Sequence, residues 1–111
     1  MGIVTNTCRE AANRMLNMHG IGEFFDVTIT REEVKMLKPE PEGIRLALKR
    51  LKAQRFVFVG DLIHDVRAAE KAGGTSIIVN REPSKRLDFQ ADYVVESLTK
   101  IPELVQRIAD K

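Results

Sequence analysis

Tryptophan is absent from the 111 residues, and tyrosine and cysteine occur once each. With Cys8 as the only thiol, no intrachain disulfide can form, and a reducing cytoplasm is the expected setting. No apolar run approaches the roughly 20 residues a membrane-spanning helix needs, which excludes a membrane-embedded chain. The opening Met1-Gly2-Ile3-Val4-Thr5-Asn6 has neither the basic start nor the long apolar stretch of a secretory signal. Asn6 also stands where a myristoylation motif wants Ser or Thr. Neither sign of charge dominates: 18 Lys and Arg against 16 Asp and Glu leave a formal net charge of +2. The charges are interspersed, as on a solvated surface, and nucleic acid is not an expected partner.

Hydrophobic residues make up 43% of the chain and charged ones 31%, the balance of a soluble globular domain. The length allows one domain over residues 1–111, burying roughly 60–65% of the surface of the unfolded chain. Apolar runs alternate with helical patterns, which predicts an α/β domain with a mainly parallel sheet. Strands are predicted at residues 2–5, 24–29, 56–60 and 76–79, with an edge strand at 91–95. A capping box, Thr7-x-x-Glu10, opens the first helix. Ala12, Met15, Leu16 and His19 then share one face, and Gly20 ends it. A second box, Thr30-x-x-Glu33, opens a short helical turn that must stop before Pro39. Ile44, Ala47, Leu48 and Leu51 form the buried stripe of a helix after Pro41. Another helix spans about 63–72, and Ile101, Leu104, Val105 and Ile108 mark the last. Phe56-Val57-Phe58-Val59 is apolar throughout, as in a strand covered on both faces, and the phenylalanines are assigned to the core.

In an open parallel sheet, ligands gather at the carboxyl ends of the strands. Three polar signals fall there. Thr5-Asn6 follows the first strand; its hydroxyl and the backbone N–H groups of a helix start suit a phosphate oxygen. Lys38, before Pro39, offers a compact positive charge that could hold phosphate and offset charge in its transfer. Asp61 and Asp65 follow the most apolar strand. A carboxylate at a strand end suits Mg²⁺, which takes one or two carboxylates together with waters and substrate oxygens. Each signal has a plainer reading: Thr5, Asn6 and Asp61 as helix caps, Lys38 as a solvated loop residue. His64 reads as a surface group, His19 as packed on the buried helix face, and Cys8 as an inert small residue.

The ordered trio resembles the second, third and fourth motifs of the haloacid dehalogenase superfamily, with wording nearest the phosphoglycolate phosphatases. Ile3-Val4-Thr5-Asn6 is similar to the second motif, Lys38-Pro39-Glu40-Pro41 to the third, and Phe58-Val59-Gly60-Asp61 through Asp65 to the G-D-x-x-x-D fourth. Val66-Arg67-Ala68-Ala69 and Ala72-Gly73 continue the likeness. The resemblance implies a three-layer Rossmann-like fold, phosphate binding by Thr5, Asn6 and Lys38, with Lys38 also the catalytic clamp, and Mg²⁺ on Asp61 and Asp65. A small phosphorylated ligand is the implied partner.

The family's first motif, D-x-D-x-T or D-x-D-x-V, supplies the nucleophile and the general acid and base, and no such string occurs here; the closest, Asp26-Val27-Thr28, differs in sequence and place. The resemblance therefore implies a sheet lacking the family's first central strand and its cap domain, and a chain that cannot turn over substrate alone. The missing strand would leave a gap of roughly 10 Å between the strands ending at Thr5 and Asp61. Each buried backbone group left without a partner costs about 1–3 kcal/mol, so an open gap is untenable. Either those strands pair directly, or another chain fills the space, as a homodimer or a separate N-terminal chain. Two other functions compete: a non-catalytic phosphate-, Mg²⁺- or protein-binding module, and a response-regulator receiver phosphorylated on Asp61. The receiver would need an acidic pair after the first strand, where this chain has Thr5-Asn6.

Overall fold

A computed structural model describes residues 1–111. It contains five short strands and four helices, and every paired strand runs parallel to its neighbour. This is a partial Rossmann-like α/β fold, as the pattern predicts. The chain divides into two compact units, residues 1–55 and 56–111.

In the first unit, β1 (Gly2–Val4) pairs with β2 (Val27–Ile29), Val4 opposite Ile29. The crossover between them carries α1 (Arg9–His19), which ends on Gly20 in the left-handed region at φ 62°. A glycine adopts that conformation without the Cβ penalty other residues meet. The helix α2 (Glu42–Leu51) follows β2 and packs on both strands. Its first turn lies so close to β1 that a Cβ on Gly43 would come 2.7 Å from Val4 Cγ1. Ala12, Leu16, Ile29, Ile44 and Ala47 form the core of this unit. Arg9 ties the start of α1 to the end of β2, donating to the Thr28 carbonyl at 2.8 Å and pairing with Glu33.

In the second unit, β4 (Thr75–Val79) lies between β3 (Val57–Gly60) and β5 (Tyr93–Val95). The helix α3 (Ile63–Lys71) crosses from β3 to β4 and packs against both, while α4 (Ile101–Ala109) closes the chain. As the central strand, β4 holds the best-buried residues: Ile77 is fully enclosed, with Ser76 and Ile78 almost so. Ser76 is satisfied by Asp92, whose carboxylate accepts from the Ser76 N–H at 2.9 Å and from its hydroxyl at 3.3 Å. At the turn into β4, a Cβ on Gly74 would overlap the Phe56 ring at 2.2 Å, so only glycine fits that ring.

Several expectations need correction. Thr7 and Glu10 do not form a capping box. The N-cap is Cys8, with no side-chain cap bond, because the Thr7 N–H is taken by Thr5 Oγ1 at 3.2 Å. Residues 24–26 are not strand. Gly22–Phe24 forms a 3-10 turn instead, and Phe24 is exposed. Met15 and His19 also face solvent, since α1 buries only the narrow stripe of Ala12 and Leu16. Thr30 and Glu33 complete only half of the second box: Glu33 accepts the Thr30 N–H, but its own N–H goes to the Thr30 carbonyl, and no helix follows. Val57 to Gly60 are half-buried rather than covered on both faces.

The central place of β4 sets the stability of the second unit. Ile77→Ala should cost about 2–5 kcal/mol, the usual range for an enclosed Ile truncated to Ala. Val94→Ala, at a half-exposed position, should cost under about 0.5 kcal/mol. Urea unfolding of both variants checks this, and equal costs would contradict the assigned core.

Candidate functional site

The predicted site residues fall into two groups, each built by one unit. In the first unit, the β1–β2 ladder reaches one residue past β1, with the Thr5 N–H donating to the Ile29 carbonyl at 2.9 Å. The chain then turns through Asn6 and Thr7 into α1. Thr5 Oγ1 stabilises that turn by accepting the Thr7 N–H, and it lies 3.0 Å from Thr7 Oγ1. Asn6 reaches across to the loop before α2. Its Oδ1 accepts the Lys38 N–H at 3.3 Å, and its Nδ2 donates to the Lys38 carbonyl at 3.4 Å. One amide therefore pairs with both backbone polar groups of the lysine, in the manner of a strand neighbour.

The rest of that loop is held in the same way. Glu33 accepts from the Thr30 N–H at 3.1 Å and from the Thr30 hydroxyl at 2.6 Å, besides pairing with Arg9. Glu42, in the first turn of α2, accepts from the Lys35 N–H at 2.6 Å and more weakly from that of Met36. The Lys38–Pro39 peptide is cis. Asn6, Glu33 and Glu42 together fix a segment without regular structure, so the half-buried Lys38 side chain leaves from a defined backbone position. Sequence reasoning found Thr5, Asn6 and Lys38 but not this scaffold; the Thr30-x-x-Glu33 box was its one visible sign.

In the second unit, the turn from β3 to α3 is built around Asp65. This carboxylate is almost fully buried, and its Oδ2 accepts the Asp61 N–H at 3.1 Å and the Leu62 N–H at 3.2 Å. Its own N–H donates to the Leu62 carbonyl at 3.0 Å, and this closes the first turn of the helix. Leu62, the N-cap residue, has no side-chain acceptor, so Asp65 does the capping from within the helix. Gly60 is the counterpart: a Cβ there would sit 2.2 Å from Asp65 Oδ2. The glycine leaves room for the carboxylate. Asp61 and His64, by contrast, are exposed.

Residues 1–79 match the family model for haloacid dehalogenase-like hydrolases. The chain belongs to that family. A relative, the pyrophosphatase PpaX of Bacillus velezensis, is 38% identical over 106 residues, which is 91% of this chain and 49% of that protein. The HAD phosphatase from Thermococcus onnurineus superposes with a TM-score of 0.85 at 33% identity, covering 94% of this chain and 49% of that one. A predicted phosphoglycolate phosphatase from Haemophilus somnus shares the fold, with a TM-score of 0.82 at 20% identity. The chain spans about half the length of the curated relatives it matches.

Family membership brings Mg²⁺ into question, and the donor set answers only in part. No group of three or more His, Cys, Asp or Glu side chains gathers as a metal cluster. Of the two carboxylates in the G-D-x-x-x-D string, Asp65 gives Oδ2 to backbone N–H groups, while Asp61 is exposed at the strand end. Mg²⁺ usually keeps several waters and uses one or two protein carboxylates, so these residues fit a half-site rather than a closed cage.

Asp65→Ala should destabilise the chain by about 1–3 kcal/mol by leaving two backbone donors without their acceptor. Gly60→Ala should cost a similar amount by displacing the same carboxylate, and the two should be strongly sub-additive. A double-mutant cycle in urea measures this; simple additivity would show that Gly60 serves something other than Asp65.

Proposed function

We propose that this chain is the phosphate- and Mg²⁺-binding part of a haloacid dehalogenase-type phosphatase and is catalytically incompetent alone. The observation that carries this reading is the absence of any D-x-D string from the 111 residues. Phosphoryl transfer by covalent catalysis needs a carboxylate nucleophile and a second group to manage protons. Thr5, Lys38 and Asp61 supply neither. They can bind and orient: the Thr5 hydroxyl and the Asn6 backbone N–H take phosphate oxygens, and Lys38 offsets phosphate charge. The Asn6 side chain keeps the Lys38 backbone in place, and its bonds to Lys38 support this reading. Asp61 would hold Mg²⁺ directly, with Asp65 setting the turn that presents it; the ion would supply Lewis-acid polarisation of a phosphoryl oxygen.

The ligand class is a small phosphorylated molecule met in the cytoplasm. The pyrophosphatase name of the Bacillus relative makes inorganic pyrophosphate the first compound to offer. A second copy in a homodimer could cover a sheet edge but brings no D-x-D of its own. The missing nucleophile would come from outside these residues, from a separate N-terminal chain or from sequence encoded upstream of Met1. Supporting this, β1 and β3 each have one ladder neighbour, and β3 is only half-buried although apolar throughout. Translating the DNA just upstream of Met1 separates the versions. An in-frame D-x-D-x-T there would make the natural product a phosphatase in one piece.

The purified 111-residue chain should not hydrolyse p-nitrophenyl phosphate or pyrophosphate with Mg²⁺ above background. Turnover that Asp61→Asn abolishes would overturn the proposal. In calorimetric titration with Mg²⁺, Asp61→Asn should weaken binding by about tenfold while His64→Ala leaves it nearly unchanged. Equal losses would remove the assignment of Asp61 as the ligand.

A further inference from the structure

Within the second unit, a cavity of about 460 Å³ lies over the carboxyl ends of β3 and β4. This volume falls in the range of small-molecule pockets, roughly 300–1,000 Å³. Val59, Val79 and Leu98 give it apolar walls, while Asp61, Arg81, Glu82 and Lys85 bring charge. The loop that carries Arg81 and Lys85 is built to a definite shape by Asn80. The Asn80 N–H donates to the Val95 carbonyl at 2.7 Å, which anchors the loop base to β5. Its Oδ1 accepts the Glu82 N–H and its Nδ2 donates to the Lys85 carbonyl, both at 3.2 Å. The Lys85 N–H closes the turn on the Glu82 carbonyl at 2.8 Å. One side chain thus bonds at both ends of the segment that presents the two cations.

The charges around this cavity do not cancel in pairs. Neither Arg81 nor Lys85 makes an ion pair, although two acids line the same space, and neither Asp61 nor Glu82 has a cationic partner. Asp61 enters from the end of β3, and the cations enter from the loop after β4. A site of this kind leaves charge to be met by a guest. Arg81 offers a planar fork of donors and Lys85 a compact ammonium, both suited to an oxyanion. The apolar walls suit a body of a few carbons attached to it.

We infer that this cavity binds a small organic anion, its oxyanion head held by Arg81 and Lys85 and its compact apolar body set against Val59, Val79 and Leu98. Such a pocket would select among acidic metabolites by the group attached to the anion. It is a site separate in residues from the Thr5, Asn6 and Lys38 cluster, and it requires no metal on Asp61.

The test is an NMR titration of the full 111-residue chain with phenylphosphonate in metal-free buffer, followed through backbone amides and methyl groups. Saturable shifts are expected at Asn80 to Lys85 and at the methyls of Val59, Val79 and Leu98, with binding in the millimolar range usual for fragments. Arg81→Gln and Lys85→Gln, both at exposed positions, should each weaken binding about fivefold with the amide spectrum otherwise preserved. Leu98→Ala should weaken phenylphosphonate but leave inorganic phosphate unchanged. The inference is overturned if shifts are absent, if they are confined to Thr5–Thr7 and Lys38, or if both glutamine variants bind as the parent does. Shifts confined to the Thr5 and Lys38 cluster would at the same time support the phosphate role proposed for those residues, so the two readings fail separately.

Discussion

Each of the five strands ends in a turn whose backbone N–H groups must find an acceptor, and in each a polar side chain near the strand end supplies it. Thr5 Oγ1 takes the Thr7 N–H after β1, and Thr30 Oγ1 takes the Glu32 N–H after β2. Asp65 takes two N–H groups after β3, Asn80 Oδ1 takes that of Glu82 after β4, and Ser97 Oγ takes that of Thr99 after β5. The cause is general. A chain that leaves a parallel ladder has donors without partners until the next element begins, and burying such a donor unpaired costs about 1–3 kcal/mol. Short side chains with oxygen close to the backbone meet that need with little loss of entropy.

The same chemistry makes strand ends good places to bind anions and metals, so one residue type serves two purposes. The turns separate them by burial and by partner. Asp65 is enclosed and spends Oδ2 on the backbone, whereas Asp61, four residues earlier, keeps its carboxylate at the surface. Asn6 pairs with both backbone polar groups of Lys38, so the lysine is positioned by its main chain. Gly60 completes the division by having no side chain where the Asp65 carboxylate must lie. In the G-D-x-x-x-D string, the glycine and the second aspartate are therefore two halves of one packing solution.

Much of this was legible along the chain. The alternation of apolar runs and helical stripes placed all five strands and four helices, because a parallel sheet with crossovers leaves that periodicity. Errors arose where several local signals compete. Thr7-x-x-Glu10 has the spacing of a capping box, yet Thr5 Oγ1 reaches the Thr7 N–H and the helix begins one residue later, on Cys8. Phe24 reads as the start of a strand but stands exposed beyond a 3-10 turn. Apolar character at Phe56 to Val59 promised full cover, and Val57 to Gly60 are half-buried.

The sequence by itself determined the class of fold and the family. These depend on residue type and spacing, which are local and survive without coordinates. It also determined that no D-x-D pair lies within the 111 residues. Tertiary structure decided which polar groups are already spoken for. The pairing of Asn6 with Lys38 spans 32 residues, and Asn80 draws together a loop that shows no periodicity. No pattern along a chain encodes such bonds, because they depend on where the packed elements bring distant backbone groups, and packing is settled only when the whole core forms.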